Sequence, residues 1–218
     1  MFFNLDPATL ISRIFVLLTA FAVHEFAHAW TADRFGDPTP RQNGRLTLNP
    51  MAHLDVMGSL MLIFAGFGWA KPVPVNPNAL SRHSSAAMMW VSLAGPASNL
   101  LMALIASIPF QLGLVSAFGA FSGSDQILPS LDKLLFEFVS INLLLFLFNL
   151  IPLAPLDGEK ILYYLLPVPG QRFMDGIRPY SPIILLLLVF SGFFLPFSIL
   201  WDIYLQPILI PLMNLLVG

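Results

Sequence analysis

Apolar runs broken by prolines and a few charged residues set the pattern along this chain. Leu10 to Ala32 is long enough for the roughly 20 residues that a membrane-crossing helix needs, yet it contains Arg13, His24, Glu25 and His28. Ala86 to Leu114 carries no charge and predicts a second span, and Leu134 to Leu156, with Glu137 as its one charge, predicts a third. After Pro179 the only charge is Asp202, and Pro182, Pro196, Pro207 and Pro211 punctuate the stretch. It reads as a span from Ile183 to about Leu200, then a shorter helix that re-enters or spans. Gly58 to Ala70 is apolar but too short to cross, which suits a re-entrant or interfacial piece. Gly44 to Leu48 and Ala70 to Val75 resemble short strands, with Asn49-Pro50 as a turn between them, and Pro72 and Pro74 suit only an edge. The predicted fold class is therefore an all-α polytopic membrane protein, with about 4–6 membrane helices. A short β-hairpin or sheet at the membrane surface is expected in the first loop.

Composition sharpens this picture. Only 10% of the 218 residues are Asp, Glu, Lys or Arg, against about 25% in soluble domains, while 57% are hydrophobic. Mean hydropathy is +0.79. A net charge of −2 without a basic run argues against nucleic acid as a partner, and the absence of cysteine removes disulfides, thiolate nucleophiles and Cys-type zinc sites. Met1 to Leu10 lacks the basic start of a removable signal peptide. With no long linker or internal repeat, residues 1–218 read as a single membrane-embedded domain. Arg34, Arg41, Arg45, Lys71 and Arg82 fall between the first two spans, and Lys160, Arg172 and Arg178 follow the third, whereas 115–132 has none. Basic residues favour the cytoplasmic side, so the first and third connections are expected there.

The chemistry concentrates in the first span. His24-Glu25-Phe26-Ala27-His28 is an H-E-x-x-H motif. Helical residues four apart share a face, so both imidazoles can approach one Zn²⁺, and Glu25 can take a proton from the attacking water. Ionisable groups inside a bilayer cost roughly 2.5–3.5 kcal/mol each on insertion scales, so three within five residues need a compensating partner, which a metal provides. Catalytic zinc takes a third protein ligand. His53, Asp55, His83, Glu137, Asp157 and Glu159 are the candidates. His24 lies about 12 Å below the end of its span at Ala32, and Asp157 follows the third span at the same end, after Pro152 and Pro155 break the helix. Glu137 lies about 30 Å upstream of it. Depth therefore selects Asp157, although an aspartate there could also cap a following helix.

These residues resemble the site-2 protease family of intramembrane zinc metalloproteases, in its compact bacterial branch without a PDZ domain. The resemblance rests on His24–His28 together with Asn149-Leu-Ile-Pro-Leu-Ala-Pro-Leu-Asp-Gly158. It extends through Gly44 to Asp55, Gly68 to Pro77 and Ala94-Gly-Pro-Ala-Ser-Asn99. It implies one Zn²⁺ per chain held by His24, His28 and Asp157, with Glu25 as catalytic base. It also implies that Asn149 positions substrate near the site, and that Gly95 and Asn99 serve close packing. His53 and Asp55 either bond their own loop or help position substrate. The implied function is an intramembrane endopeptidase that cuts in or near transmembrane segments of membrane proteins, in a bacterial inner membrane, with its active site toward the cytoplasm. Transmembrane protein substrates and the lipid bilayer are its implied partners. A metal-binding or transport protein and a noncatalytic substrate-binding scaffold are the rival classes, and Glu25, dispensable for binding metal, separates them from a protease.

Overall fold

The computed structural model describes residues 6–58, 68–121 and 127–218. Helix α1 (Pro7–Arg34) begins where Asp6 caps it: the Asp6 carboxylate accepts from the Thr9 backbone N–H at 2.9 Å and Pro7 supplies the preset φ of a first turn. The helix ends at Gly36, which takes φ +79°. Its buried stripe, including Ala8, Ser12, Ala20, Ala29 and Ala32, is mostly small, which lets neighbouring helices approach closely without a hydrophobic driving force in lipid.

Helix α2 (Ala87–Gln111) and helix α3 (Leu131–Asn149) pack on α1 and on each other to form the core that carries the site. After α3 the chain runs irregularly through Pro152 and Pro155, then forms α4 (Asp157–Leu165), α5 (Val168–Ile177) and α6 (Ser181–Val189). A last helix runs from Ile199 to Val217, its first seven residues π-helical and the remainder forming α7 (Gln206–Val217). It is tied back to the core where Tyr204 donates to the Leu147 carbonyl at 3.1 Å and Gln111 donates to the Leu215 and Leu216 carbonyls.

Two expectations need correction. Among the described residues three helices, not four to six, are long and apolar enough to cross a membrane: Pro7–Arg34, Ala87–Gln111 and Ile199–Val217. The predicted span Leu134–Leu156 is a helix only from Leu131 to Asn149, and its first turns carry Asp132, Lys133 and Glu137. The predicted span from Ile183 stops at Val189, where Ser191–Phe193 tightens into a 3₁₀ turn.

The expected hairpin is also missing among the described residues, where a single antiparallel bridge pairs Leu54 with Ala70. Pro72 and Pro74 have no N–H to donate, and the buried Arg45 guanidinium takes the Ala52 and Lys71 carbonyls that a longer ladder would need. The proposed re-entrant piece Gly58 to Ala70 lies largely outside the described residues, at 59–67, as does part of the 115–132 connection, at 122–126.

Candidate metal centre

His24 and His28 lie one turn apart on the buried face of α1. Their Nε2 atoms are 3.0 Å from each other, and both face Asp157 Oδ2, at 3.3 Å from His24 and 3.2 Å from His28. All three residues are buried. The other ring nitrogens are held from behind. His28 Nδ1 lies 2.6 Å from the Val91 carbonyl oxygen, and His24 Nδ1 lies 2.6 Å from Asn99 Oδ1.

A carbonyl oxygen can only accept, so His28 Nδ1 carries the proton and its Nε2 lone pair points at the cluster. The same polarity reaches His24 through a chain of amides. Asn142 Nδ2 donates to the Phe138 carbonyl at 2.9 Å, which leaves Asn142 Oδ1 to accept from Asn99 Nδ2, also at 2.9 Å. Asn99 Oδ1 is then the acceptor for His24. Both asparagines are fully buried. Two imidazole lone pairs and a carboxylate thus converge on one point with no donor among them, an arrangement that calls for a cation. Tetrahedral zinc with bonds of about 2.0–2.2 Å keeps its donors roughly 3.3–3.6 Å apart, and the observed separations of 3.0, 3.2 and 3.3 Å lie within a few tenths of an ångström of that spacing.

Local sequence explains how these residues meet. Asp157 is the first residue of α4, whose N-cap is Leu156, so its carboxylate turns to the histidines instead of capping the helix. Gly158 follows because a Cβ there would run into the Leu150 and Ile151 carbonyls of the irregular segment. Gly95 is the matching close approach from α2, since a Cβ on it would collide with Nε2 of both histidines.

Glu25 is buried beside the cluster, and its Oε2 accepts from the Val73 backbone N–H at 3.1 Å. The segment that supplies this N–H is strapped down on both sides. Arg45 holds the Lys71 carbonyl, the Lys71 N–H donates to the His53 carbonyl at 2.8 Å, and the buried Asp37 carboxylate accepts from the Asn76 N–H at 2.6 Å. A cavity of about 560 Å³ opens next to the cluster. Its walls include His24, Glu25, His28 and Asp157, residues 68–75 of the strap, and Leu185 and Val189 of α6.

The remaining predicted residues divide clearly. Asn149 lines the cavity, with its Nδ2 donating to the Leu145 carbonyl of its own helix at 3.0 Å. His53 and Asp55 do not line it. His53 Nε2 bonds the Thr47 carbonyl at 2.8 Å, and Asp55 accepts from the Gly58 N–H, so both make local loop bonds. His83 stacks its ring edge against Phe35, Glu137 pairs with Arg13, and Glu159 pairs with Arg178. The contributions of Val73 and Asn142 are not visible in the sequence, and Asn99 reads there only as a packing residue. A side-chain amide in the middle of a charge-free span is the available signal for Asn99.

Comparison with known proteins agrees with this geometry. The model of Peptidase family M50 matches residues 12–190. Two relatives are named "Putative zinc metalloprotease". YwhC of Bacillus subtilis (strain 168) is 44% identical over 181 residues, covering 80% of this chain and 78% of its own. Rip2 of Mycolicibacterium smegmatis is 34% identical over 181 residues, covering 80% of this chain and 64% of its own length. No solved structure gives a significant match. A donor set that fits zinc, set beside a buried glutamate, and a family match across most of the length lead to one conclusion: the chain belongs to Peptidase family M50 and is a membrane-helix-bearing zinc metallopeptidase.

Proposed function

We propose that this protein hydrolyses peptide bonds in or near the transmembrane segments of other membrane proteins, with His24, His28 and Asp157 as the zinc ligands and Glu25 as the general base. The observation that carries the reading is the convergence of three acceptor atoms, without a donor, beside Glu25 and an open cavity. When bound, zinc supplies Lewis acidity that polarises a peptide carbonyl and acidifies the attacking water.

The chain's own residues do the rest. Glu25 accepts the proton from that water and returns it to the leaving amine. The Val73 N–H fixes one carboxylate oxygen of Glu25 and leaves the other free for the proton. Asn99 and the Val91 carbonyl keep both imidazoles in the tautomer that presents Nε2.

Depth supports a membrane substrate. His28 meets Val91, which brings Trp30 and Trp90 to the same end of the molecule, both about half exposed, as tryptophans at a membrane interface are. His24 lies six residues below Trp30, about 9 Å into the apolar zone. A helical substrate shields its own peptide bonds, so the scissile segment must enter as extended chain, which favours substrates with helix-breaking residues near the cut. The strap at 70–76 lies along the cavity and is the proposed edge for that chain.

Arg34, Arg41, Arg45, Lys71 and Arg82, at the end of α1 and between α1 and α2, support a location of this end on the cytoplasmic face of a bacterial inner membrane. A cysteine introduced at Gln42 should therefore resist an impermeant thiol reagent in intact cells, and ready labelling there would reverse the orientation.

Glu25→Gln tests the chemistry. The variant should keep about one zinc per chain while hydrolysis falls by about a thousandfold or more, the scale expected when a positioned base is lost. It should also retain uncut membrane proteins that mass spectrometry can identify. Parental cleavage rates in this variant would rule out Glu25 as the base.

A further inference from the structure

Glu25 and Asp157 are not the only charged residues on the cavity wall. Lys160 follows Asp157 by three positions on α4, which turns it about 60° from Asp157 around the helix and places it one turn further on. Its own helix offers it no counter-ion. The buried Glu159 is taken by Arg178, whose Nε and Nη2 donate to Glu159 Oε1 at 2.9 and 2.5 Å, and the Asp157 carboxylate faces the two histidines. Asp175 is likewise paired with Arg178. Among the described residues the half-buried Lys160 has no carboxylate partner, and the cavity around it is mostly Phe, Leu, Val, Met and Pro.

Charge accounting gives this position a meaning. The two positive charges of zinc are matched by the carboxylates of Asp157 and Glu25, so Lys160 leaves the loaded cavity one charge positive. An ammonium group beside apolar walls has lost part of its hydration and gains most from an anion that enters with the ligand.

We propose that Lys160 is a specificity-determining residue that pairs with an acidic side chain of the substrate close to the scissile bond. The proposal rests on the protease reading above and adds a substrate class to it: membrane-protein segments with a glutamate or aspartate beside the cut. Lys160 is about 4.5 Å from Asp157 along the helix axis, and an extended chain advances about 3.3 Å per residue. The acidic residue therefore falls roughly one to three residues from the cut.

The test uses synthetic leucine–alanine transmembrane peptides with a central glycine–proline break. Each carries a single glutamate, glutamine or lysine at successive positions around the break. Binding is measured on the zinc-loaded Glu25→Gln protein in detergent, with Lys160 intact or changed to Met or Glu. With Lys160 present, the best glutamate peptide should bind about tenfold tighter than its glutamine twin, the effect of one close charge pair in a partly desolvated site. Lys160→Met should bring that ratio to about one, and Lys160→Glu should turn the preference to the lysine peptide, all at equal zinc content. An undiminished glutamate preference in Lys160→Met, no preference with Lys160 intact, or loss of zinc from the Lys160 variants would each overturn the proposal. The protein with Glu25 restored separates the two readings. Hydrolysis without charge preference rejects the role of Lys160 alone, whereas charge-selective binding without hydrolysis of any peptide supports Lys160 and rejects the protease.

Discussion

Near the start of α1, Asp6 and Arg13 face two residues of α3: Lys133 Nζ lies 2.8 Å from Asp6 Oδ1, and Arg13 Nε lies 3.1 Å from Glu137 Oε2. Eleven residues beyond Arg13, the same helix presents His24 and then His28 to Asp157, where every facing atom is an acceptor. At the first end charges are balanced by side chains of opposite sign, so the protein satisfies itself. At the second, backing contacts from Asn99 and Val91 use up the imidazole donors, so the cluster presents acceptors alone. One helix, α1, thus contributes to an ordinary set of ion pairs with α3 and to a donor set with α4 that suits a cation. The lesson is that burial and proximity of ionisable groups do not identify a metal centre, whereas the balance of donors and acceptors does.

The comparison breaks most completely at Gly95. Gly95→Val would place side-chain atoms where the two Nε2 atoms meet, so zinc content and hydrolysis should both fall to background, although α2 itself stays helical. Metal analysis together with circular dichroism checks this. A variant that binds zinc normally would show that the histidines need not meet at this point.

A smaller effect sharpens the other end. Lys133, with the hydroxyl and backbone N–H of Thr9, holds the Asp6 carboxyl well below the ordinary carboxylate range. A depressed pKa in the folded state contributes stability that is present above the unfolded value, about 4, and is lost as pH falls through the folded one. Thermal unfolding of the parent and of Asp6→Asn should therefore differ at neutral pH and converge as the pH is lowered below about 4, with zinc content at neutral pH the same in both. A gap that persisted unchanged into acid would mean that the Asp6 charge contributes nothing.

What the sequence disclosed follows the same division. The H-E-x-x-H spacing is local, so the pairing of His24 with His28 follows from helix geometry alone. Asp157 was found by depth, because the proline-broken end of α3 and the far end of α1 lie at one level. The donor chain through Asn99 and Asn142 could not be read in this way, since it joins side chains 75 and 43 residues apart on three helices. The span count failed for a related reason. Counting apolar residues treats Leu134–Leu156 as a crossing helix, but the helix ends at Asn149, and its first turns from Leu131 carry Asp132, Lys133 and Glu137, two of which Asp6 and Arg13 neutralise. The expected hairpin failed on side-chain competition, because Arg45 occupies carbonyls that strand pairing would have used. Patterns along one segment were legible, and partners contributed from elsewhere in the fold were not.

Zinc stoichiometry of two single variants, purified side by side, separates the acceptor cluster from the ion pair. Asp157→Ala removes an acceptor from the unbalanced cluster, and Glu137→Gln removes a charge from the balanced pair. Asp157→Ala should lose most of its zinc, with an affinity drop of tenfold or more, taking the 10–100-fold cost of losing an outer-shell partner as a lower bound. Glu137→Gln should keep about one zinc per chain. Equal zinc content in the parent and Asp157→Ala would contradict the account by removing the aspartate from the coordination shell, and loss of zinc from Glu137→Gln would contradict the separation of the two ends.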